Sequence, residues 1–298
     1  MTIHNCRICP RSCGADRSGG ETGFCGVAGE EIYAARAALH LWEEPCISGE
    51  SGSGAVFFTG CPLRCVYCQN YHIARAEVGR AISVRRLAEI FLELQAEGAA
   101  NINLVTPTHY TYSIIEAVTL ARDKGLVLPI VYNCGGYEKV ETLRDLEGIV
   151  DIYLTDFKYL DPRPARDYSR APDYPEVARA ALAEMVRQQP ALQYDEKGLL
   201  QKGVIVRHLL LPGEVLGAKA VVRYLYRTYG DNIILSLMSQ YTPLPQVAEI
   251  PALNRKVTER EYRSLTDYAA GLGVSRCYIQ EGDPAQESFI PAFDFEGL

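Results

Sequence analysis

No stretch of this 298-residue chain approaches the roughly 20 consecutive apolar residues that cross a bilayer as a helix. Positive charge is in deficit as well: 30 Lys and Arg stand against 37 Asp and Glu, a net charge of −7. That balance argues against general affinity for nucleic acid or an anionic membrane, so neither partner is expected. The N-terminus, Met1-Thr2-Ile3-His4-Asn5-Cys6, has neither the basic start nor the apolar core of a secretory signal. These absences point to the cytoplasm, where ten cysteines read as metal ligands and not as a disulfide framework. What the chain does have is a hydrophobic content of 48%, enough for a substantial core. A single α/β barrel commonly runs to this length as one domain.

Three of the cysteines fall in one short loop, Gly60-Cys61-Pro62-Leu63-Arg64-Cys65-Val66-Tyr67-Cys68-Gln69-Asn70. Thiolates at Cys-x3-Cys-x2-Cys spacing can hold three corners of a four-iron cluster and leave the fourth iron open for a ligand. The run follows the β-like segment Ala55-Val56-Phe57-Phe58-Thr59, which places it at a strand's end, where α/β barrels put their chemistry. A zinc knuckle or a set of buried thiols is the blander reading. Structural zinc takes four ligands, however, and only His72 lies close behind Cys68.

Cys-x3-Cys-x-aromatic-Cys, with Tyr67 as the aromatic, resembles the signature of radical S-adenosylmethionine (SAM) enzymes. Cys61-Pro62-Leu63-Arg64-Cys65-Val66-Tyr67-Cys68-Gln69-Asn70 resembles the branch related to the activase of pyruvate formate-lyase, and the likeness extends over nearly the whole chain. The resemblance implies a [4Fe-4S] cluster held by Cys61, Cys65 and Cys68, with the amino and carboxylate groups of SAM on the open iron and Tyr67 near adenine. It implies that an electron from the reduced cluster breaks a carbon-sulfur bond, releasing a 5′-deoxyadenosyl radical that abstracts a hydrogen atom. A reducing donor such as flavodoxin or ferredoxin would supply the electron. The activase likeness suggests a glycine in a protein backbone as substrate, although relatives act on peptides or small metabolites. The reading from another class is a non-catalytic iron-sulfur carrier or assembly protein, which would have no need of a SAM pocket.

Cys6-x2-Cys9-x3-Cys13-x11-Cys25 opens the chain in a Gly- and Arg-rich setting and reads as a small metal-binding module over residues 1–30. Four thiols could wrap one metal and fold a segment otherwise too small and polar to hold a shape. Zinc is the favoured occupant, with an auxiliary iron-sulfur cluster compatible and unligated thiols the remaining reading.

A connector over 31–54 contains Gly49-Glu50-Ser51-Gly52-Ser53-Gly54. Beyond it, strand-like runs near 55–59, 101–105, 127–132, 150–155, 203–211 and 232–238 alternate with helical patterns near 83–98, 111–124, 138–147, 175–189, 215–229 and 258–271. Such alternation argues for parallel βα units. The expected fold is α/β, a partial (βα)6 TIM-like barrel over 55–298 resembling that of the radical SAM family, with a possible extra strand at Val274–Ile279.

The strand ends supply the remaining candidates. Val105-Thr106-Pro107-Thr108-His109 stands where many relatives carry a Gly-Gly-Glu element for the SAM amino group; here Thr106 and Thr108 are the substitutes, or simply turn and cap residues. Tyr132-Asn133-Cys134-Gly135-Gly136-Tyr137 is similar to the Asp-Thr-Asn-Gly turn of the activases, with Asn133 in the place of their acid. Asp156-Phe157-Lys158 resembles their Asp-Leu-Lys, with Lys158 suited to a carboxylate and Asp156 to a ribose hydroxyl or to orienting Lys158. Arg207 heads a segment similar to their Arg-x3-Val-Pro-Gly, a match that implies a part in the SAM or substrate pocket, where its guanidinium fork suits a carboxylate, while His208 alternates to the other face and reads as structural. Gln240 and Tyr241 are candidates for adenosine or substrate contacts. Cys46 and Cys277 read as buried thiols; Cys134, close to the inferred SAM pocket, reads as packing, with hydrogen-atom exchange with a radical as the alternative. The proline-rich 161–175 reads as a long loop shaping access, and 188–203 as a surface hairpin.

Overall fold

The computed structural model describes residues 3–280 and 291–298. Among the described residues ten strands form one sheet: β1 Ile32–His40, β2 Ser53–Phe58, β3 Arg80–Ile82, β4 Ile102–Val105, β5 Ile130–Cys134, β6 Ile152–Asp156, β7 Gln193–Tyr194, β8 Leu200–Leu209, β9 Ile234–Met238 and β10 Cys277–Ile279. Their order is β10-β9-β8-β6-β5-β4-β2-β1-β3, with β7 paired to β8. From β2 to β10 along this path every pairing is parallel, and β1 and β3 continue it antiparallel. The fold is therefore α/β with a mostly parallel sheet, a partial barrel left open between β10 and the β1–β3 edge. The six parallel strands and the short seventh, β10, stand where the alternation placed them.

Parallel strands covered on both faces read as nearly continuous apolar runs, as Ile102-Asn103-Leu104-Val105 and Ile152-Tyr153-Leu154 do here. On the helix-covered face Tyr132, Tyr153, Val204 and Leu235 pack against Ala178, Leu182, Val221 and Leu265. The opposite face carries Val131, Ile152, Leu154, Ile205 and Ile234 around Cys46 and Ile47 of the short helix Pro45–Ser48, which plugs the barrel from within. Local signals start the helices. Ser83 accepts from the Arg86 N–H ahead of Val84–Ala96, and Thr258 with Glu261 forms a capping box ahead of Glu259–Leu272. Each such cap contributes about 1 kcal/mol.

Two segments carry more structure than expected of them. The connector over 31–54 contains β1, a nine-residue strand whose Ile32, Ala34, Ala35 and Ala37 are buried against the sheet. The segment 161–175 is largely helical: Pro162 begins the helix Pro162–Ser169, and Pro175 lies in the first turn of Tyr174–Gln188. Proline is tolerated in a first turn because the N–H it lacks has no intrahelical acceptor there. Only the break at Arg170, in the left-handed region at φ 51°, and the residues to Asp173 interrupt the two helices. The 188–203 segment is the hairpin anticipated, with β7 antiparallel to β8.

Candidate functional site

The turn out of β2 depends on Gly60. Its φ is +93°, and a Cβ there would stand 2.6 Å from Val27 Cγ2 and 2.8 Å from His109 Nε2. The loop that follows is held from several sides. The Gly60 N–H donates to Ile73 O at 2.7 Å, the Cys61 N–H to Cys25 O at 3.3 Å, and Arg11 Nε to Pro62 O at 2.8 Å. On its other flank the Arg64 and Val66 N–H groups donate to Ser169 O and Tyr168 O at 3.3 and 2.9 Å.

Cys61, Cys65 and Cys68 are half-buried and line one cavity of about 540 Å³. Burial, reinforced by the neighbouring Cys65 thiol, pushes the Cys68 thiol up to about 12 and raises that of Cys61 further. Cys61 and Cys68 thus resist becoming bare thiolates in this setting. The donor set fits a cationic iron site, because metal ions deprotonate the thiols they bind. Among the described residues no group of three or more His, Cys, Asp or Glu side chains is yet drawn in to metal-ligand geometry.

The same cavity receives all seven residues singled out for cofactor contact: Tyr67, Thr106, Asn133, Asp156, Lys158, Arg207 and Gln240. Thr106 sits at φ +60°, unusual for threonine, with its N–H donating to Asn133 O at 2.8 Å. Thr108 is turned to a different use, its hydroxyl donating to the buried Glu138 Oε1 at 2.8 Å. Tyr132 Oη donates to the other oxygen of Glu138 at 3.2 Å, and burial pushes that carboxyl up to about 8. Lys158 Nζ donates to Asp156 Oδ2 at 2.5 Å. Burial opposes the ammonium, but the Asp156 carboxylate holds it charged well above the usual lysine range. Gly136 allows the β5 turn to pass this point, since a Cβ on it would lie 2.1 Å from Asp156 O.

Arg207 meets partners that sequence reading did not supply. Its guanidinium donates to Glu44 Oε1 and Oε2 at 2.7 and 2.6 Å and also to Glu43 Oε2. Asn103 and Asn133 donate to Glu43 Oε1 at 2.8 and 3.4 Å. Burial acts against these charges, but attraction wins: the carboxylates raise Arg207 well above its ordinary value, and Arg207 holds Glu44 below its own. The only signal in the sequence was two adjacent acids before Pro45; nothing in the spacing connects them to a residue more than 160 positions away.

Gln240 lies at the cavity edge, its Oε1 accepting from Gln280 Nε2 at 2.9 Å. Tyr241 is core, 1% exposed, with its hydroxyl donating to Leu253 O at 2.7 Å. His208 is buried, Nδ1 lying 2.8 Å from Phe157 O, which is the structural place its alternation suggested. Cys134 is buried in the core, its Sγ 3.4 Å from Thr155 Oγ1, and it also lines the cavity. Cys46 is buried, whereas Cys277 is only half-buried. His40, Trp42, Tyr278 and Ile279 complete the cavity on the side where the barrel is open.

In the N-terminal segment Cys6, Cys9 and Cys25 are buried and Cys13 is exposed. Cys13 and Cys25 both approach Gly23, where a Cβ would stand 3.6 and 3.3 Å from their sulfurs. The segment docks on the barrel through Arg17 Nη1 to His109 O at 2.9 Å and Thr142 Oγ1 to Ile8 O at 2.7 Å.

Comparison with known proteins agrees with this architecture. Over 283 residues the chain is 28% identical to an uncharacterized protein of Methanocaldococcus jannaschii, covering 92% of this chain and 77% of that one. Streptococcus suis SuiB bound to precursor peptide SuiA superposes with a TM-score of 0.50 at 11% identity, over 74% of this chain and 46% of that one. The FeFe-hydrogenase maturase HydG of Carboxydothermus hydrogenoformans gives a TM-score of 0.49 at 14% identity, over 79% and 56%. The chain thus spans about half the length of these two solved proteins. Residues 55–215, more than half of the chain and including the three-cysteine loop, match the family model described as the radical SAM superfamily, and the protein belongs to that superfamily.

Proposed function

We propose that Cys61, Cys65 and Cys68 hold the [4Fe-4S] cluster that superfamily membership implies, and that SAM occupies the adjoining cavity. One observation carries this reading: three thiols from a single loop and polar side chains from the strand ends open into the same space. At about 540 Å³ that space falls within the ~300–1,000 Å³ of small-molecule sites. A plain electron carrier would have no use for it.

When bound, the cluster and SAM together supply reductive carbon-sulfur cleavage and a carbon radical that abstracts a hydrogen atom. The chain's own groups bind and orient. Lys158 offers a compact positive charge for the methionine carboxylate, with Asp156 fixing its direction. The Asn133 amide and the polar end of Gln240 can hydrogen-bond ribose or adenine. Arg207 is occupied by Glu43 and Glu44, so its part is to fix the cavity floor. The cysteine loop and Asp156-Phe157-Lys158, similar to those of glycyl radical enzyme activases, support an activase-like role on a protein-backbone glycine. A flavodoxin or ferredoxin in the cytoplasm would supply the electron, and the N-terminal four thiols would hold structural zinc.

Anaerobic reconstitution with iron and sulfide tests the core of this reading. The reduced protein should bind SAM and release 5′-deoxyadenosine. A full, reduced cluster that yields none with several electron donors would favour a carrier. Metal analysis of the same sample should find about one zinc and about four irons per chain.

A further inference from the structure

A chain of buried hydroxyls runs from the cavity wall to one of the three thiols. Tyr67 Oη lies 2.6 Å from Tyr159 Oη, Tyr159 Oη 2.9 Å from Ser169 Oγ, and Ser169 Oγ 3.0 Å from Cys65 Sγ. Ser169 is fully buried, and the two tyrosines are about 5% exposed. Ser169 ends the helix Pro162–Ser169, and the carbonyls of this same turn accept the Arg64 and Val66 N–H groups. The helix end is therefore fastened to the cysteine loop by backbone bonds that need no hydroxyl.

We propose that Ser169, supported by Tyr159 and Tyr67, is a positioning residue that raises the reduction potential of the cluster by donating a hydrogen bond to Cys65 Sγ. The inference rests on Cys65 being a cluster ligand. A thiolate bound to iron has no proton to give, so the single Ser169 proton points at sulfur. Ser169 then accepts from Tyr159, and Tyr159 from Tyr67, which makes the chain one-directional, with each bond polarising the next. Adding an electron to a cluster increases the negative charge its sulfurs carry. A hydrogen bond to sulfur strengthens with that charge and so favours the reduced form. Cys61 Sγ has a weaker counterpart, the Leu63 N–H at 3.4 Å.

The test is an EPR-monitored redox titration of reconstituted wild type, Ser169→Ala and Tyr159→Phe, with iron and sulfide measured on each. At equal cluster content Ser169→Ala should move the midpoint to more negative potential. At a fixed potential the ratio of reduced to oxidised cluster should fall roughly tenfold, about 59 mV for a one-electron couple. Tyr159→Phe should shift it in the same direction by less. Equal midpoints in all three loaded proteins overturn the inference while leaving the cluster reading intact, whereas wild type that takes up no cluster overturns the cluster reading itself. If Ser169→Ala fails to load, Tyr159→Phe decides, because it leaves Ser169 and every backbone bond in place; an unshifted midpoint there also overturns the inference.

Discussion

Lys158 and Arg207 each stand at the C-terminal end of a parallel strand and line the same cavity, yet they are held in different ways. The partner of Lys158 is Asp156, from its own strand end, and the two side chains remain 16% and 31% exposed. Arg207 is gripped by Glu43 and Glu44, and these three side chains are 13%, 7% and 6% exposed. Glu43 is in turn bonded by Asn103 and Asn133. The first pair is local and partly open, so a ligand carboxylate can join it with little rearrangement. The second is a closed network across the barrel, and opening it would strand buried charge. Two strand ends thus give a partly open charged pair and a closed, buried one in the same cavity.

The sharpest contrast is in the cysteine loop above Lys158. Replacing Cys61, Cys65 or Cys68 with Ala should remove cluster iron and reduce 5′-deoxyadenosine to background, whereas a floor variant that still folds should keep its iron. Next in size, Glu44→Ala should cost about 3–5 kcal/mol of stability in denaturant unfolding, the range for removing one partner of a buried ion pair. A loss below about 1 kcal/mol would make the floor no different from an exposed surface pair. Because Glu44 titrates below its ordinary 4.5 when folded, its contribution is complete above that pH and is lost as acidification passes through the folded value. The variant should accordingly show less acid destabilisation than wild type.

Smaller effects separate binding from stability. Lys158→Ala should weaken SAM binding by about 1–3 kcal/mol, read by calorimetry, with cluster content unchanged. Lys158→Arg should recover only part of this, since a planar fork does not reproduce a compact ammonium. Unchanged affinity in both would place Lys158 with Arg207 as a structural group. The last test concerns Glu138. Its folded carboxyl is raised to about 8 from 4.5, so its contribution is full below 4.5 and declines as pH rises towards 8. Glu138→Gln should flatten this part of the stability profile, by at most about 1.4 kcal/mol per pH unit. The same change in unfolding free energy between pH 5 and 8 in wild type and Glu138→Gln would remove Glu138 as a titrating group.

Much of the barrel was legible because its signals are local. Ile152-Tyr153-Leu154 shows a buried strand by composition, Ser83 and Thr258 mark helix starts, and Cys61-x3-Cys65-x2-Cys68 states its own spacing. The errors have equally local causes. Prolines 162, 164, 172 and 175 suggested a loop because proline breaks helix interiors, but three of the four fall in first turns, where the missing N–H costs nothing. The Gly/Ser-rich run at 49–54 masks the strand Ile32–His40, whose small alanines alternate too little in polarity to mark it, although it pairs edge to edge with β2.

By itself the sequence determined the alternation of the parallel strands with most of the helices, the three-cysteine loop and the residue types at the strand ends, since each depends on neighbours a few positions apart. Only the tertiary structure decided which charges meet. Glu43 and Glu44 reach Arg207 because β1 returns the chain to the open end of the sheet and the Pro45–Ser48 helix enters the barrel. Ser169 reaches Cys65 because the helix Pro162–Ser169 ends against the cysteine loop. Contacts between residues more than 100 positions apart are fixed by sheet register and by how the elements pack, and no local pattern in the chain records either.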